Sequence, residues 1–219
     1  MAETTSKLMI PEPEAIQLLF TREDGTYHFA RWGRPVVPVI FGVEETSLPP
    51  LKGAIELVVG LAGHKMAETD PELGANLIIF FIKDWEELTG LDNLDRMIPE
   101  LGQVVPRLMS SDATQYRVFR FDEAGGIRAA FVFLRMTRDI ARLPAEEIGL
   151  EQAVKVVLDW GPAAFASRSP LVRGQDALAR LSPRIAALIR AAYDPVLPVA
   201  AEDGAHALRL YARVVANQA

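Results

Sequence analysis

The run "ANLIIFFI", Ala75 to Ile82, constrains the fold most, because it is uncharged and rich in β-branched and aromatic side chains. A continuous apolar run of strand length reads as a strand covered on both faces, since a strand with one wet face would alternate. It therefore calls for a sheet with material packed on each side. "RPVVPVIFG", Arg34 to Gly42, reads as a second strand, which Pro38 moves towards a sheet edge or a bulge. "TQYRVFRFD" and "GIRAAFVFLRM", joined by "EAGG", predict a β-hairpin. A helix starting at Ser47 or the prolines after it should run to about Met66, apolar almost all round and therefore buried. "KDWEELTGL" and "NLDRMIPELGQVVPRLM" predict short helices broken by Pro99 and Pro106. Further helices are expected from about Ala145 to Trp160, from Ser182 to Ala192 with Ser182 as cap, and from about Ala201 to Asn217. The fold class is α+β, a mixed sheet including a hairpin with helices packed on it. Residues 1–30, with Pro11, Pro13 and the turn "REDGT", read as an irregular arm, and residues 31–219 as a single domain.

At 219 residues, half apolar and a quarter charged, the chain can bury a full core. It has no cysteine, so disulfides, a thiolate nucleophile and cysteine-ligated metal are excluded. The net charge of −6 is uneven. Residues 1–110 carry 9 basic and 17 acidic side chains, the remainder 14 and 12. That balance points away from nucleic acid, whose phosphates reward a basic face. No apolar run approaches the ~20 residues of a transmembrane helix. The opening "MAETTSKLMIPEPEA" lacks the basic and apolar regions of a signal peptide. A cytoplasmic place is expected if the chain is complete, and a cell-envelope or periplasmic one if a leader was removed.

The buried helix between the first strands and the second helix after the hairpin resemble the order of a zincin-type metalloprotease core. The pieces "RWGRP", "ANLIIFF", "GGIRAAFVFL" leading into "LPAEEIGLEQAV", and "AAYDPVLP" are similar to a bacterial zincin-like domain family of unknown function. The resemblance spans roughly residues 30–217. It implies a protein that is often exported or lipid-anchored and that lacks the usual zinc motif. Members carry a Glu-Glu-x-x-Gln segment on the helix and a Gly-Leu-x-Asn-Asp turn after it. Here Glu151 and Gln152 stand nearest to the first, and the turn reads "LDWGPAAF".

A His-Glu-x-x-His helix works because residues i and i+4 share a face, giving zinc two nitrogen ligands while the glutamate polarises water. With Glu151 in the glutamate position, the ligand positions fall on Leu150 and Val154, which cannot coordinate a metal. No metal and no cofactor are therefore expected. The residues read instead as an amphipathic helix. Glu147, Glu151, Lys155 and Asp159 form a solvated polar stripe, opposite Leu150, Val154, Val157 and Leu158.

Other groups carry weaker signals. His64 with Glu68, and Glu202 with His206, are spaced to share a helix face and grip a metal, though surface hydrogen bonds explain them as well. "DPEL", "KDWEEL" and "GLDNLD" lack the oxygen-ligand pattern of a calcium loop and read as solvated helix ends. Arg117, Arg120, Arg128 and Arg135 on the hairpin suit either a bound carboxylate or phosphate, or protection of a sheet edge. Trp32, Trp85 and Trp160 read as half-buried anchors at element ends. The segment "DWGPAAFASRSPLVRG" gathers Trp160, Phe165, Arg168 and Arg173, a mixture typical of interface centres, and reads as an ordinary loop folded over the helix end or, alternatively, as a recognition loop.

Two functions follow as expectations. The first is a non-catalytic binding or accessory module contacting a protein or peptide. The second is a hydrolase of unfamiliar type, using Glu151 with groups from elsewhere. A buried Glu151 beside a histidine would favour the hydrolase, and an exposed Glu151 paired to Lys155 the module.

Overall fold

The computed structural model describes residues 11–90 and 94–217. Its centre is a four-stranded sheet in the order β2 (Pro38–Phe41), β3 (Leu77–Ile82), β5 (Ile127–Arg135), β4 (Gln115–Phe121). The first three run parallel and β4 is antiparallel to β5, so the sheet is mixed and the class is α+β. β3 is interior, as its unbroken apolar run requires. β2 begins at its proline and lies at one edge, where a missing N–H costs no ladder bond. The β4–β5 turn holds Gly125 at φ 78°, and Asp122 Oδ1 accepts from the Ala124 and Gly126 N–H groups.

Two helices cover one face, α2 (Leu48–Leu61) and α5 (Ala145–Val157). They cross closely at Gly149, where an added Cβ would lie 2.9 Å from the Ala54 Cβ and 3.1 Å from the Leu51 Cα. α2 is shorter than the reading to Met66. It ends in a Schellman turn, with Gly63 at φ 66°, its N–H on Gly60 O at 2.9 Å and the His64 N–H on Val59 O at 3.0 Å. Nor is α2 buried all round, since Lys52, Glu56 and Leu57 face outward.

The opposite face carries a 3-10 segment (Trp85–Gly90), α3 (Leu94–Met97) and α4 (Leu101–Ser110). α4 runs through Pro106 rather than breaking there. Both Pro106 and Gly102, whose carbonyl loses its partner, are exposed to water, which can take the place of the missing donor. Across this face the rings of Phe41, Phe80, Phe133 and Tyr116 stand in register on the four strands. They stack with centroids 5.2, 5.1 and 6.3 Å apart. The helical layer covers the Phe133 end of this row, while Phe41 is 49% exposed. β3 is thus only partly covered on its second face.

The first thirty residues are not an irregular arm where they are described. α1 (Pro13–Leu18) and the following turn place Ile16, Phe20 and Phe29 in the main core, each with no exposed surface. β1 (Phe29–Ala30) pairs with β8 (Ala200–Ala201), and α1 packs on α7 (Ala205–Ala216). The prolines that suggested irregularity instead start the helix, with Pro13 in its first turn. Residues 1–10 lie outside the described part. The segment after α5, read as an open loop, contains a small hairpin, β6 (Leu171–Arg173) with β7 (Ala179–Leu181), before α6 (Pro183–Ala192).

Candidate functional site

α5 ends against aromatic donors. A helix leaves its last four carbonyls without intrahelical partners. Here Trp160 Nε1 donates to Val154 O at 2.8 Å, Trp32 Nε1 to Val156 O at 2.8 Å, and the Tyr193 hydroxyl to Val157 O at 2.7 Å. Leu158 is already extended, and the Asp159 N–H donates to Ala30 O at 3.0 Å. The chain leaving α5 is therefore fixed beside β1, and Asp159 is held in place at the rim of a cleft.

The polar stripe on α5 is not solvated as its spacing suggested. Lys155 and Asp159 are buried, and the side chains of Glu147 and Glu151 keep only 13% and 28% of their surface. Around Glu151 and Lys155 the cover is β4, whose inward side chains reach across to the helix, while Arg173 closes on Glu147. Lys155 Nζ donates to Glu151 and, at 3.0 Å, to Gln115 Oε1. Arg117 Nη2 donates to the same Gln115 oxygen and to Gln152 Oε1 at 3.3 Å. Burial pushes the Arg117 guanidinium down to about 10, with Glu151 opposing the shift. Burial also pushes Lys155 down, and the neighbouring Arg117 charge adds to it. One turn further on, Arg22 donates to Asp159, and His28 Nδ1 lies 3.1 Å from the same carboxylate oxygen.

Of these groups Arg22, Gln115, Arg117, Lys155 and Asp159 line a cleft of about 840 Å³ between β4 and the end of α5. Arg22, Arg117 and Lys155 face Glu23, Asp24 and Asp159 in it, and Phe119, Trp160 and Phe165 supply its apolar wall. One wall is a free sheet edge. The Arg135 N–H donates to Thr114 O, so in the antiparallel ladder the bonded pairs are 116–133, 118–131 and 120–129. The backbone groups of Gln115, Arg117 and Phe119 therefore point away from β5, towards the cleft side.

The sequence candidates divide. Trp160 is buried, stacked on Phe20 at 5.2 Å, and is a core anchor rather than an exposed patch. Phe165 meets Trp160 edge-on at 5.1 Å and lines the cleft. Arg173 lies outside it and donates to Glu147 at 2.5 Å, and Arg168 is exposed and does not line it. Glu151 is half-buried and closed on Lys155, and the histidine near the cleft meets Asp159 instead. Leu150 packs against the core and Val154 is fully buried, so both positions where zinc ligands would be needed point inward.

His64 lies past the end of α2, so it shares no helix face with Glu68, and its Nε2 meets Arg34 O at 2.8 Å. His206 is a core residue, its Nδ1 2.9 Å from the Tyr27 hydroxyl. Asp70 in "DPEL" caps its own turn and meets Arg34 and Asn76. Among the described residues no three His, Asp or Glu side chains converge as a metal site, and no helix is long and apolar enough to cross a membrane.

The residues that the sequence reading missed are Gln115, Arg22 and His28, and Gln152 was noted only for its resemblance to the family segment and not as a partner of Arg117. They are polar residues of different elements, and only the fold makes them neighbours. A second cleft of about 930 Å³ opens beside the uncovered end of the aromatic row, lined by Phe41, Phe80, Leu94, Met97 and Phe121. Its two arginines are already engaged, Arg120 with Glu100 and Met97 O, Arg128 with Glu72. Comparison with protein-family models, with curated proteins and with solved structures found no match.

Proposed function

We propose that this chain is a non-catalytic binding or accessory module with a zincin-like order of elements, and that it takes an extended peptide segment of a partner protein along β4. The observation that carries this reading is the outward backbone of Gln115, Arg117 and Phe119 forming one wall of a cleft with aromatic side chains and charges of both signs. An exposed strand edge accepts a peptide as an added strand, with main-chain bonds giving affinity and alternate side-chain pockets giving selectivity. Phe119 and Phe165 would supply the apolar contacts. The pairing of Glu151 with Lys155 supports a module, because a carboxylate closed on an ammonium is poorly placed to take a proton.

Peptides selected on the purified protein from a random display library provide the test. Their binding should slow amide hydrogen exchange at Gln115, Arg117 and Phe119. Selection of no peptide, or peptides that bind and leave those three amides unprotected, would refute the reading. The half-burial of Glu151 favours the second reading, a hydrolase of unfamiliar type. Cleavage of bound peptide that disappears in Glu151→Gln would decide for it.

A further inference from the structure

Four arginines stand on the β4–β5 hairpin, and three are closed by carboxylates. Arg120 meets Glu100 at 3.5 Å, Arg128 meets Glu72 at 3.1 Å and Arg135 meets Asp112 at 2.5 Å. Arg117 differs. Among the described residues no carboxylate lies within 4.0 Å of its guanidinium. Its side-chain bonds go to two neutral amides, Gln115 and Gln152, and its Nε, like those of Arg128 and Arg135, is buried with no partner. Beside it the Lys155 ammonium draws on the same Gln115 oxygen. The nearest anion, Glu151, is closed on Lys155. On the other side of the cleft Asp159 is engaged by Arg22 and His28, with Glu23 and Asp24 at the rim.

We infer that the Arg117 guanidinium, with Lys155 beside it, is the receptor for a carboxylate of the bound peptide. This rests on the peptide reading of the cleft. A guanidinium presents its donors in a planar fork that matches the two oxygens of a carboxylate. Two cations that burial has deprived of water, sharing one neutral acceptor, gain more from an arriving anion than solvated cations do. The downward shift of both groups has the same origin and would relax on binding. The outward backbone of Arg117 places this receptor within the added-strand register, so the carboxylate belongs either to the peptide's C-terminus or to an Asp or Glu side chain.

Two measurements test the inference. The first needs no peptide. In the whole protein, the Arg117 Nε–Hε resonance should shift and saturate on titration with acetate and stay in place with chloride at equal ionic strength. An Arg117 signal indifferent to acetate overturns the inference. The second uses the library-selected peptides in three forms, with a free C-terminus, with a C-terminal amide, and with acidic side chains changed to Asn or Gln. One of the two changes should weaken binding ~10-fold, the size of one charge-assisted contact, and so identify the source of the carboxylate. Arg117→Gln should bind all three forms alike, and Arg117→Lys should recover part of the preference. Peptides that bind the parent protein equally well in all three forms, while still protecting the β4 amides, would overturn the carboxylate receptor and leave the peptide reading standing.

Discussion

His206 shows how a residue that looks functional can be structural. It is 2% exposed, packed 4.3 Å from the Phe29 ring, and its Nε2 has no partner. Burial, and then the charges of Arg209 and Arg31, push its pKa down to about 4 from an ordinary 6.5. The fold therefore holds it neutral where an unfolded chain would protonate it. Its share of stability is complete above pH 6.5 and is lost as the pH falls from there to about 4, roughly 3 kcal/mol in all. Burial shifts His64 in the same direction, so it adds to the slope. The urea midpoint should fall between pH 7 and pH 5, and much less so in His206→Gln. An equal fall in both proteins would show that His206 is not the group responsible. In the sequence, the spacing of His206 from Glu202 suggested a metal grip. That its ring faces Tyr27 and Phe29 depends on a contact across 179 positions, which spacing does not carry.

At the scale of elements, periodicity located α5 well and described its surroundings badly. The apolar side was legible, since Val154 and Val157 are in the core as their spacing requires. The polar stripe was misread because a spacing of four says which side chains share a face and not what that face meets. β4 lies over its middle, bonding Lys155 through Gln115, and Arg173, Arg22 and His28 close on its ends. The tryptophans were legible as anchors at element ends, but they are buried and not half-buried. Their partners were not legible: Trp85 donates to Ala113 O, and Trp32, like Tyr193, reaches the last carbonyls of α5 from far along the chain, 124 and 36 positions away. Those bonds can be weighed directly. Tyr193→Phe strands the buried Val157 carbonyl and removes an acceptor from the Trp32 N–H, which lies 3.3 Å from the hydroxyl. The expected cost is about 1–3 kcal/mol, the penalty for an unsatisfied buried polar group. Chemical denaturation measures it, and a change below ~0.5 kcal/mol would mean that water replaces the bond.

For the whole molecule, the class, the interior place of "ANLIIFFI", the edge place of the interrupted strand and the hairpin were legible. The extent of the domain was not. Prolines and a turn motif suggested an arm, but Ile16, Phe20, Tyr27 and Phe29 are all buried in the main core. Each such side chain contributes about 1.5–3 kcal/mol by leaving water. Together they approach the ~5–15 kcal/mol that holds a whole domain folded. A chain starting at residue 31 should therefore fail to fold, as judged by circular dichroism and the loss of a cooperative thermal transition. A cooperative transition in that truncated chain would return the segment to the status of an arm. The pairing of β1 with β8 also bears on how the protein is made. Synthesis runs from the first residue to the last, and although Trp160 reaches Phe20, part of the cover of the early apolar side chains comes only with the last elements. Phe29 meets His206, and α1 packs on α7. The sheet and its two helices are available once Val157 has left the ribosome, yet the nascent chain still carries an apolar early segment that is only partly seated. Chaperone occupancy during translation is thus expected to persist until α7 emerges, a delay set by topology and not by the stability of the finished fold.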